Sequence, residues 1–361
     1  MKPLYKLIIF LVVICSFFTN SFADSFIWQK QNSNTKARLR AVSAINNKIA
    51  WASGTQGTFT RTTDGGKTWI TKTVLGAEEL DFRDLQAFDE KLAFLLSIGE
   101  GDKSRIYKTV DGGKSWQLSY KNTNPKAFFD GIAFWDKNNG IAFSDPVDGH
   151  FLIITTSDGG KTWQQETNIP PAIIGESAFA ASGTSITVEG KTNVWIGTGG
   201  KAARVFRSTD RGKTWAVAET PIISGSDSTG IFSLAFKDAN NGVAVGGDYK
   251  NPEEKLNNAA ITNDGGKTWE LVKDATPNGY RSCVFYIPNF KENALISLGP
   301  NGSDYSLDNG KSWQNFSLEG FHSLSLVNKV GWAVGEEGKI AKIENPVLIL
   351  QNLKKTPNNK P

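Results

Sequence analysis

Short runs of alternating apolar and polar residues recur along the chain, and Gly or Asn bounds most of them. Residues 48–54, around Trp51, and residues 58–62, around Phe59, show the pattern clearly. A period of two residues is typical of β-strands that bury one face. No stretch carries the helical period over a useful length, so the pattern predicts an all-β protein.

A seven-residue motif follows such runs six times, first at residues 63–69 as Thr-Asp-Gly-Gly-Lys-Thr-Trp. Its aspartates lie 44 to 54 residues apart, close to the length of one four-stranded propeller blade, about 40 to 50 residues. In such a turn the carboxylate accepts backbone amides and glycine takes a positive φ. We therefore predict that these aspartates are structural and bind no calcium: Asp64, Asp111, Asp158, Asp210, Asp264 and Asp308.

A seventh blade is predicted although the motif occurs six times. Residues 321–340 repeat the three strands that precede a motif, but no motif follows them. The missing tryptophan reappears at the other end of the chain as Trp28, within residues 26–30. We therefore expect one seven-bladed β-propeller over residues 24–345, closed by its N-terminal strand, which removes open sheet edges. Residues 346–361, rich in Lys, Asn and Pro, are predicted to be disordered.

The first 23 residues have the pattern of a secretory signal peptide. Lys2 and Lys6 precede a 12-residue apolar run, and a small-x-small site ends at Ala23. The run is shorter than the roughly 20 residues that span a bilayer, so we expect a periplasmic or secreted protein without a membrane span. Lipid attachment at Cys15 is the alternative, but no small residue precedes that cysteine.

Composition narrows the classes of partner. Without Lys2 and Lys6 the chain has 38 basic and 36 acidic residues, a net charge of about +2, which argues against nucleic acid as a partner. Cys283 is then the one remaining cysteine, so no intramolecular disulfide is expected. We also expect a monomer. No cofactor is expected, because the Gly-Lys-Thr of the motif lacks the earlier glycine of a phosphate-binding loop.

The motif resembles the Asp-box, or bacterial neuraminidase, repeat. Residues 39–42 (Leu-Arg-Ala-Val), 54–57 (Gly-Thr-Gln-Gly) and 63–69 together resemble the photosystem II stability and assembly factor family. The similarity covers nearly the whole chain after the signal peptide. It implies a seven-bladed propeller that acts as a binding or assembly protein rather than as an enzyme.

Sialidases share the Asp box and supply the alternative, a glycoside hydrolase. Their Arg-Ile-Pro element is absent here; residues 105–107 read Arg-Ile-Tyr and precede the second motif rather than the first. If the chain is such an enzyme, its best carboxyl pair is Asp130 with Glu176, and Tyr249 and Tyr280 are the candidate phenols.

Alignment of the blades predicts a ring of mostly ionisable residues at one mouth of the central channel. The ring consists of the residues that begin the innermost strands: Arg40, Arg83, Asp130, Glu176, Phe232, Arg281 and His322. The loops between second and third strands emerge on the same face and add five polar candidates: Asp145, Asp148, His150, Asp248 and Glu336. Such a mouth can hold a protein partner or an anionic ligand. The alternative is that the charged ring only solvates the channel entrance, with ion pairs among its own residues. Two histidines are too few for an ordinary zinc site, so no metal is predicted.

Overall fold

The computed structural model describes residues 27–289 and 293–355, which form seven sheets arranged around a central channel. The predicted signal peptide lies outside the described residues. The strands, in chain order, are β1 (Gln29–Gln31), β2 (Leu39–Ala44), β3 (Ala50–Gly54), β4 (Thr58–Thr62), β5 (Ile70–Thr73), β6 (Asp81–Ala87), β7 (Ala93–Ile98), β8 (Arg105–Thr109), β9 (Gln117–Lys121), β10 (Phe129–Phe134), β11 (Gly140–Val147), β12 (His150–Thr156), β13 (Gln164–Gln165), β14 (Glu176–Ser177), β15 (Ile186–Glu189), β16 (Asn193–Gly197), β17 (Gly199–Gly200), β18 (Arg204–Ser208), β19 (Ala216–Glu219), β20 (Thr229–Phe236), β21 (Gly242–Asp248), β22 (Ala259–Thr262), β23 (Glu270–Leu271), β24 (Cys283–Tyr286), β25 (Leu295–Gly299), β26 (Gly302–Ser306), β27 (Gln314–Ser317), β28 (Ser323–Val327), β29 (Val330–Val334) and β30 (Ile340–Glu344).

The sheets confirm the predicted all-β, seven-bladed propeller. Every blade is an antiparallel sheet of four strands; the fifth blade, β20 to β23, also carries the two-residue strands β14 and β17 at its inner edge. The innermost strands form a closed ring in which each contacts the next: β2, β6, β10, β15, β20, β24 and β28. Apolar residues of neighbouring blades pack between the sheets, so the core is a circle of clusters around the channel.

The N-terminal strand closes the last blade, as the sequence predicts. β1 pairs antiparallel with β30, with Gln29 opposite Lys342 and Gln31 opposite Ile340. Trp28 is 1% exposed and its ring centroid lies 5.0 Å from that of Phe321. The side chain of Gln31 joins two blades, because its Oε1 accepts the indole N–H groups of Trp69 at 2.9 Å and Trp332 at 3.1 Å.

Each motif forms the turn between the third and fourth strands of its blade, on the face opposite the start of the innermost strand. In the first motif, Asp64 Oδ1 accepts the Thr68 amide at 3.0 Å and its Oδ2 accepts the Thr68 hydroxyl at 2.6 Å. Thr62 adds a bond from its hydroxyl to Asp64 Oδ1 at 2.8 Å. Gly65 and Gly66 have φ of 82° and 85°, where a side chain would be strained. The other five motifs repeat these aspartate bonds.

The motif tryptophans are less uniformly buried than the repeat suggests. Trp69 and Trp313 are each 3% exposed, whereas Trp163 is half-buried and donates its indole N–H to Ser119 Oγ at 3.0 Å. The most deeply buried indoles lie instead in strands β3 and β29 and beside β1: Trp51, Trp332 and Trp28.

The C-terminal stretch differs from its predicted disorder. Residues Pro346–Lys355 form the helix α1, and Leu350 is buried in the core cluster that also holds Trp28. The overall Lys, Asn and Pro content of the stretch hides the apolar run 347–350, which gives the helix one face to bury. Residues 356–361 lie outside the described part of the chain. Among the described helices, none has the length and apolar character needed to cross a membrane.

Acid is expected to destabilise the propeller through its motifs. Hydrogen bonds from Thr68 lower the pKa of Asp64 to about 2, and those from Ser115 and Thr162 lower the pKa values of Asp111 and Asp158. Since these folded-state pKa values lie below the unfolded value of about 3.9, the stabilisation is complete above that pH and is lost as the pH falls towards 2. Urea unfolding should therefore give a lower free energy of unfolding at pH 3 than at pH 5.

The variant Asp158→Asn is the matched control, since it should be less stable than wild type at pH 5 and lose less on acidification. Burial raises the pKa values of Asp84 and Asp130, which acts in the opposite direction. Their contribution favours the folded state as the pH falls. A protein that became more stable between pH 5 and pH 3 would contradict the dominant role of the motifs.

Candidate functional site

Four of the predicted ring residues occupy β-bulges at the start of innermost strands. In each case the pairing with the second strand skips one residue: Arg40 in β2, Arg83 in β6, Asp130 in β10 and Phe232 in β20. A bulge leaves its extra residue out of the ladder and turns its side chain away from the blade. The bulges thus direct these four side chains to one end of the channel.

These side chains line one open cavity of about 550 Å³, which we call the mouth cavity. Phe179, Asp145 and Ser282 also line it, together with His322, Tyr249, Tyr280 and the exposed Asp227. Eight of the residues singled out in the sequence therefore meet here: Arg40, Arg83, Asp130, Asp145, Phe232, Tyr249, Tyr280 and His322. Its volume lies within the range of about 300 to 1,000 Å³ that is usual for small-molecule sites.

One side of the mouth cavity is cationic. Arg83 donates its Nε to Asp81 at 2.8 Å, and its side chain is 24% exposed. Burial and the nearby charge of Arg83 lower the pKa of Arg40 to about 10, so its guanidinium group is still charged at neutral pH. Arg40 Nη1 lies 3.3 Å from His322 Nδ1, and His322 Nε2 lies 2.8 Å from Glu336 Oε1. Burial and Arg40 lower the pKa of His322 to about 4, so the imidazole is neutral at pH 7.

The third blade, next to that of Arg83, places two carboxyl groups in the cavity. Asp130 is 1% exposed, and burial together with the nearby Asp145 raises its pKa well above the ordinary range. Burial raises the pKa of Asp145 to about 6, while its Oδ1 accepts the Ala178 amide at 2.7 Å. Both carboxyl groups are shielded from water, and such shielding disfavours the charged form and raises the pKa.

An aromatic wall joins the two sides. Phe179 stacks on Phe232 with centroids 3.8 Å apart, and Tyr280 meets Phe232 edge-on at 4.7 Å. Tyr249 meets both phenylalanines edge-on and is 46% exposed, so it is the outermost ring of the wall. Buried aromatic faces of this kind hold apolar or cationic groups.

Residues 177–183, which we call the plug, cross the channel beneath the mouth cavity. The plug contacts five other parts of the ring, at Asp145, Arg83, Phe232, Ser282 and Ser323. Ser182 Oγ donates to the Ser282 carbonyl at 2.6 Å, and Ser323 Oγ donates to the Ser182 carbonyl at 2.8 Å. A second cavity below it, lined by Ser182, Gly183 and Thr184, lies in the channel itself.

The plug explains why Glu176 is not a ring residue. The innermost strand of the fourth blade is β15, and Glu176 precedes the plug. Its side chain is fully buried; Arg204 Nε donates to its Oε1 at 3.0 Å and Thr198 Oγ1 donates to the same atom at 2.6 Å. The other oxygen accepts from Arg204 Nη2 and from the Ile173 amide. Both oxygens are thus committed within the protein, and the predicted pairing with Asp130 is wrong.

Arg281 also turns away from the mouth cavity. Its side chain is fully buried and donates from Nε to Asp304 at 2.6 Å and from Nη1 to Asn301 at 2.6 Å. Asp304 in turn accepts the Asn278 amide and the Asn315 side chain. The residue after it, Ser282, reaches the cavity instead.

The remaining loop candidates lie outside the mouth cavity. Asp148 and His150 are exposed, and Asp148 pairs with Lys126 at 2.7 Å. Asp248 is buried and accepts the Lys250 amide at 2.9 Å and the Asn251 side chain at 2.6 Å, so it closes its own loop. Glu336 lies at the rim, where it pairs with Arg38 at 2.9 Å as well as with His322.

Because both oxygens of Glu176 are bound within the protein, this residue is not available as the second carboxyl group of a glycoside hydrolase. Burial raises the pKa of Tyr280, which keeps the phenol protonated and makes it a poor nucleophile. Tyr249 and Asp130 are the candidates that remain at the mouth cavity. Within residues 27–289 and 293–355, no three His, Cys, Asp or Glu side chains come together as a metal-binding group.

Comparison of the sequence with family models and with curated proteins finds no match. Several solved structures share the fold. "YCF48 bound to D1 peptide" has a TM-score of 0.61 at 17% identity, covering 88% of this chain and 96% of that chain. YCF48 from Cyanidioschyzon merolae has a TM-score of 0.64 at 16% identity, covering 88% of this chain and 99% of that one.

A structure with a different activity is equally similar. A catalytically inactive virginiamycin B lyase from Staphylococcus aureus, solved with quinupristin, has a TM-score of 0.63 at 14% identity, covering 88% of this chain and 98% of that chain. At such identities the likeness shows the fold alone, because propellers of one architecture carry many unrelated functions.

Proposed function

We propose that the chain is an exported, non-catalytic propeller that binds a protein segment or another anionic ligand in the mouth cavity. The carrying observation is that Arg40 and Arg83 extend from bulges of neighbouring blades into the same cavity. A guanidinium group binds a carboxylate through two parallel hydrogen bonds. Two of them on a rigid ring form a ready receptor for an acidic group.

Similar propellers support a protein segment as the ligand. One YCF48 structure contains a bound D1 peptide, and that protein matches this chain in fold over 88% of its length. The aromatic wall beside the two arginines suits the side chains of such a segment, since aromatic residues and arginine dominate the energetics of protein interfaces. The function is thus that of a scaffold in assembly rather than that of a catalyst.

Reversal of charge at the two arginines should abolish partner binding. A partner captured from the exported fraction by the wild type and identified by mass spectrometry is titrated by calorimetry against Arg40→Glu/Arg83→Glu. We expect its affinity to fall at least about tenfold, because each lost charge-assisted hydrogen bond is worth about 1.5 to 3 kcal/mol. The matched control Lys67→Glu/Lys114→Glu makes the same change of charge at exposed residues of the motif face. Equal affinity of wild type and mouth variant would overturn the proposal.

We also propose export, which rests on the N-terminal sequence pattern alone. N-terminal sequencing of the protein recovered outside the cytoplasm should read Asp24 first. A mature chain that began at a lipid-modified Cys15 would contradict it.

A further inference from the structure

Two residues that line the mouth cavity, one basic and one acidic, each carry a shielded atom that has no hydrogen-bond partner among the described residues. They are Nε of Arg40 and Oδ2 of Asp130. A shielded ionisable group without a partner is costly, and an unsatisfied polar atom in a native structure usually marks a missing water, ion or ligand. Asp130 is 1% exposed and lies near Asp145 and Arg83.

The two sides of the cavity do not neutralise each other. Neither Arg40 nor Arg83 forms an ion pair with Asp130 or Asp145 among the described residues. Arg83 lies close enough to Arg40 and Asp130 to affect the pKa values of both. It donates from Nε to Asp81 and from Nη1 to the Ala180 carbonyl at 3.3 Å. Its Nη2 is left for a ligand. Asp145 is held by the plug through one oxygen, which leaves the other oxygen free.

We propose that the mouth cavity binds a small zwitterion with an apolar or aromatic side chain, of the amino-acid or dipeptide class. Its carboxylate bridges Arg40 and Arg83, its ammonium group lies against Asp130 and Asp145, and its side chain packs on the wall formed by Phe232 and Tyr280. The ligand's carboxylate then faces the basic groups of the cavity and its ammonium group faces the acidic ones. The inference goes beyond the proposed function and shares with it the use of the same cavity.

An analogue series on the wild-type protein tests the inference directly. Isothermal titration at pH 7 compares L-phenylalanine with L-phenylalaninamide, which lacks the carboxylate, and with N-acetyl-L-phenylalanine, which lacks the ammonium group. L-Tyrosine, L-leucine and the dipeptide Phe-Phe extend the series to other side chains and to greater length. We expect a zwitterion of the series to bind and each single-charge analogue of phenylalanine to bind at least about tenfold more weakly.

Variants then assign each end of the ligand. Asp130→Asn should weaken the binding of phenylalanine and of the amide but leave the binding of the N-acetyl compound unchanged. Arg40→Gln should weaken the binding of phenylalanine and of the N-acetyl compound but leave that of the amide unchanged. Each variant is first checked for an unchanged circular dichroism spectrum, and the analogue series decides the matter if either fails to fold. The far-surface variant Lys67→Gln is the control and should bind as the wild type does.

Two results would overturn the inference. One is that N-acetyl-L-phenylalanine binds as tightly as phenylalanine, which would leave the acidic side without a role. The other is that no zwitterion of the series binds with a Kd below about 1 mM. Neither result touches the proposed function, which fails only if the captured partner still binds Arg40→Glu/Arg83→Glu.

Discussion

Deletion of residues 24–32 is expected to yield a chain that does not fold to a stable monomer. The deletion removes β1, exposes the outer edge of β30, and takes away the buried Trp28. It also removes Gln31, which holds the indoles of Trp69 and Trp332 in two adjacent blades. Because the last blade would lose its fourth strand, the ring would open and present an unpaired edge. Circular dichroism melting and size-exclusion chromatography measure the loss of the transition and the expected aggregation.

Two point variants separate the closure from a general effect of truncation. Trp28→Ala should lower the free energy of unfolding by about 3 to 5 kcal/mol, as other losses of large buried side chains do. Lys30→Ala, in the same strand but with its side chain 75% exposed, should change it by less than about 0.5 kcal/mol. A truncated protein that melted like the full chain would show that the ring closes in another way.

Glu176→Leu should cost about 3 to 5 kcal/mol of stability, because it leaves the guanidinium group of Arg204 buried without its partner. The carboxylate accepts from Arg204, Thr198 and the Ile173 amide, and its side chain is fully buried. The double variant Glu176→Leu/Arg204→Met should recover a large part of that loss, since two apolar side chains replace the buried pair. Urea unfolding of the two variants measures both values.

The exposed pair of Asp148 and Lys126 is the matched control. Their side chains are 74% and 68% exposed, so Asp148→Leu should cost less than about 1 kcal/mol. If Glu176→Leu were as mild as that control, the pair with Arg204 would not hold the loop that leads into the plug.

The fold could be predicted from the sequence because its signals are local and repeated. Six copies of one turn motif set the length of a blade, and Trp28 supplied the missing piece of the seventh. Arg40, Arg83 and Asp130 were found for the same reason, since each begins an innermost strand whose alternation is regular. The sequence does not reveal that these residues sit on bulges, because a bulge is a feature of pairing between strands.

The rest of the site could not be predicted because it depends on contacts between distant segments. The apolar alternation predicts a strand start at Glu176, yet its binding to Arg204 and the insertion after it place the fourth blade's inner strand ten residues further on, at Ile186. The 52-residue spacing between Asp158 and Asp210, longer than the 47 residues before it, was the available signal. Arg281 was misplaced because its partner, Asp304, comes from another strand of its blade.

The plug separates the mouth cavity from the rest of the central channel. The mouth cavity lies above residues 177–183 and the channel cavity below them, where Asp84, Ser182 and Gly183 are among its lining residues. A molecule that enters the mouth cavity must therefore leave by the same opening, because the plug blocks passage through the central channel. A small ligand and a protein segment would then compete for the same cavity, and the concentrations and affinities of the two would decide which one occupies it.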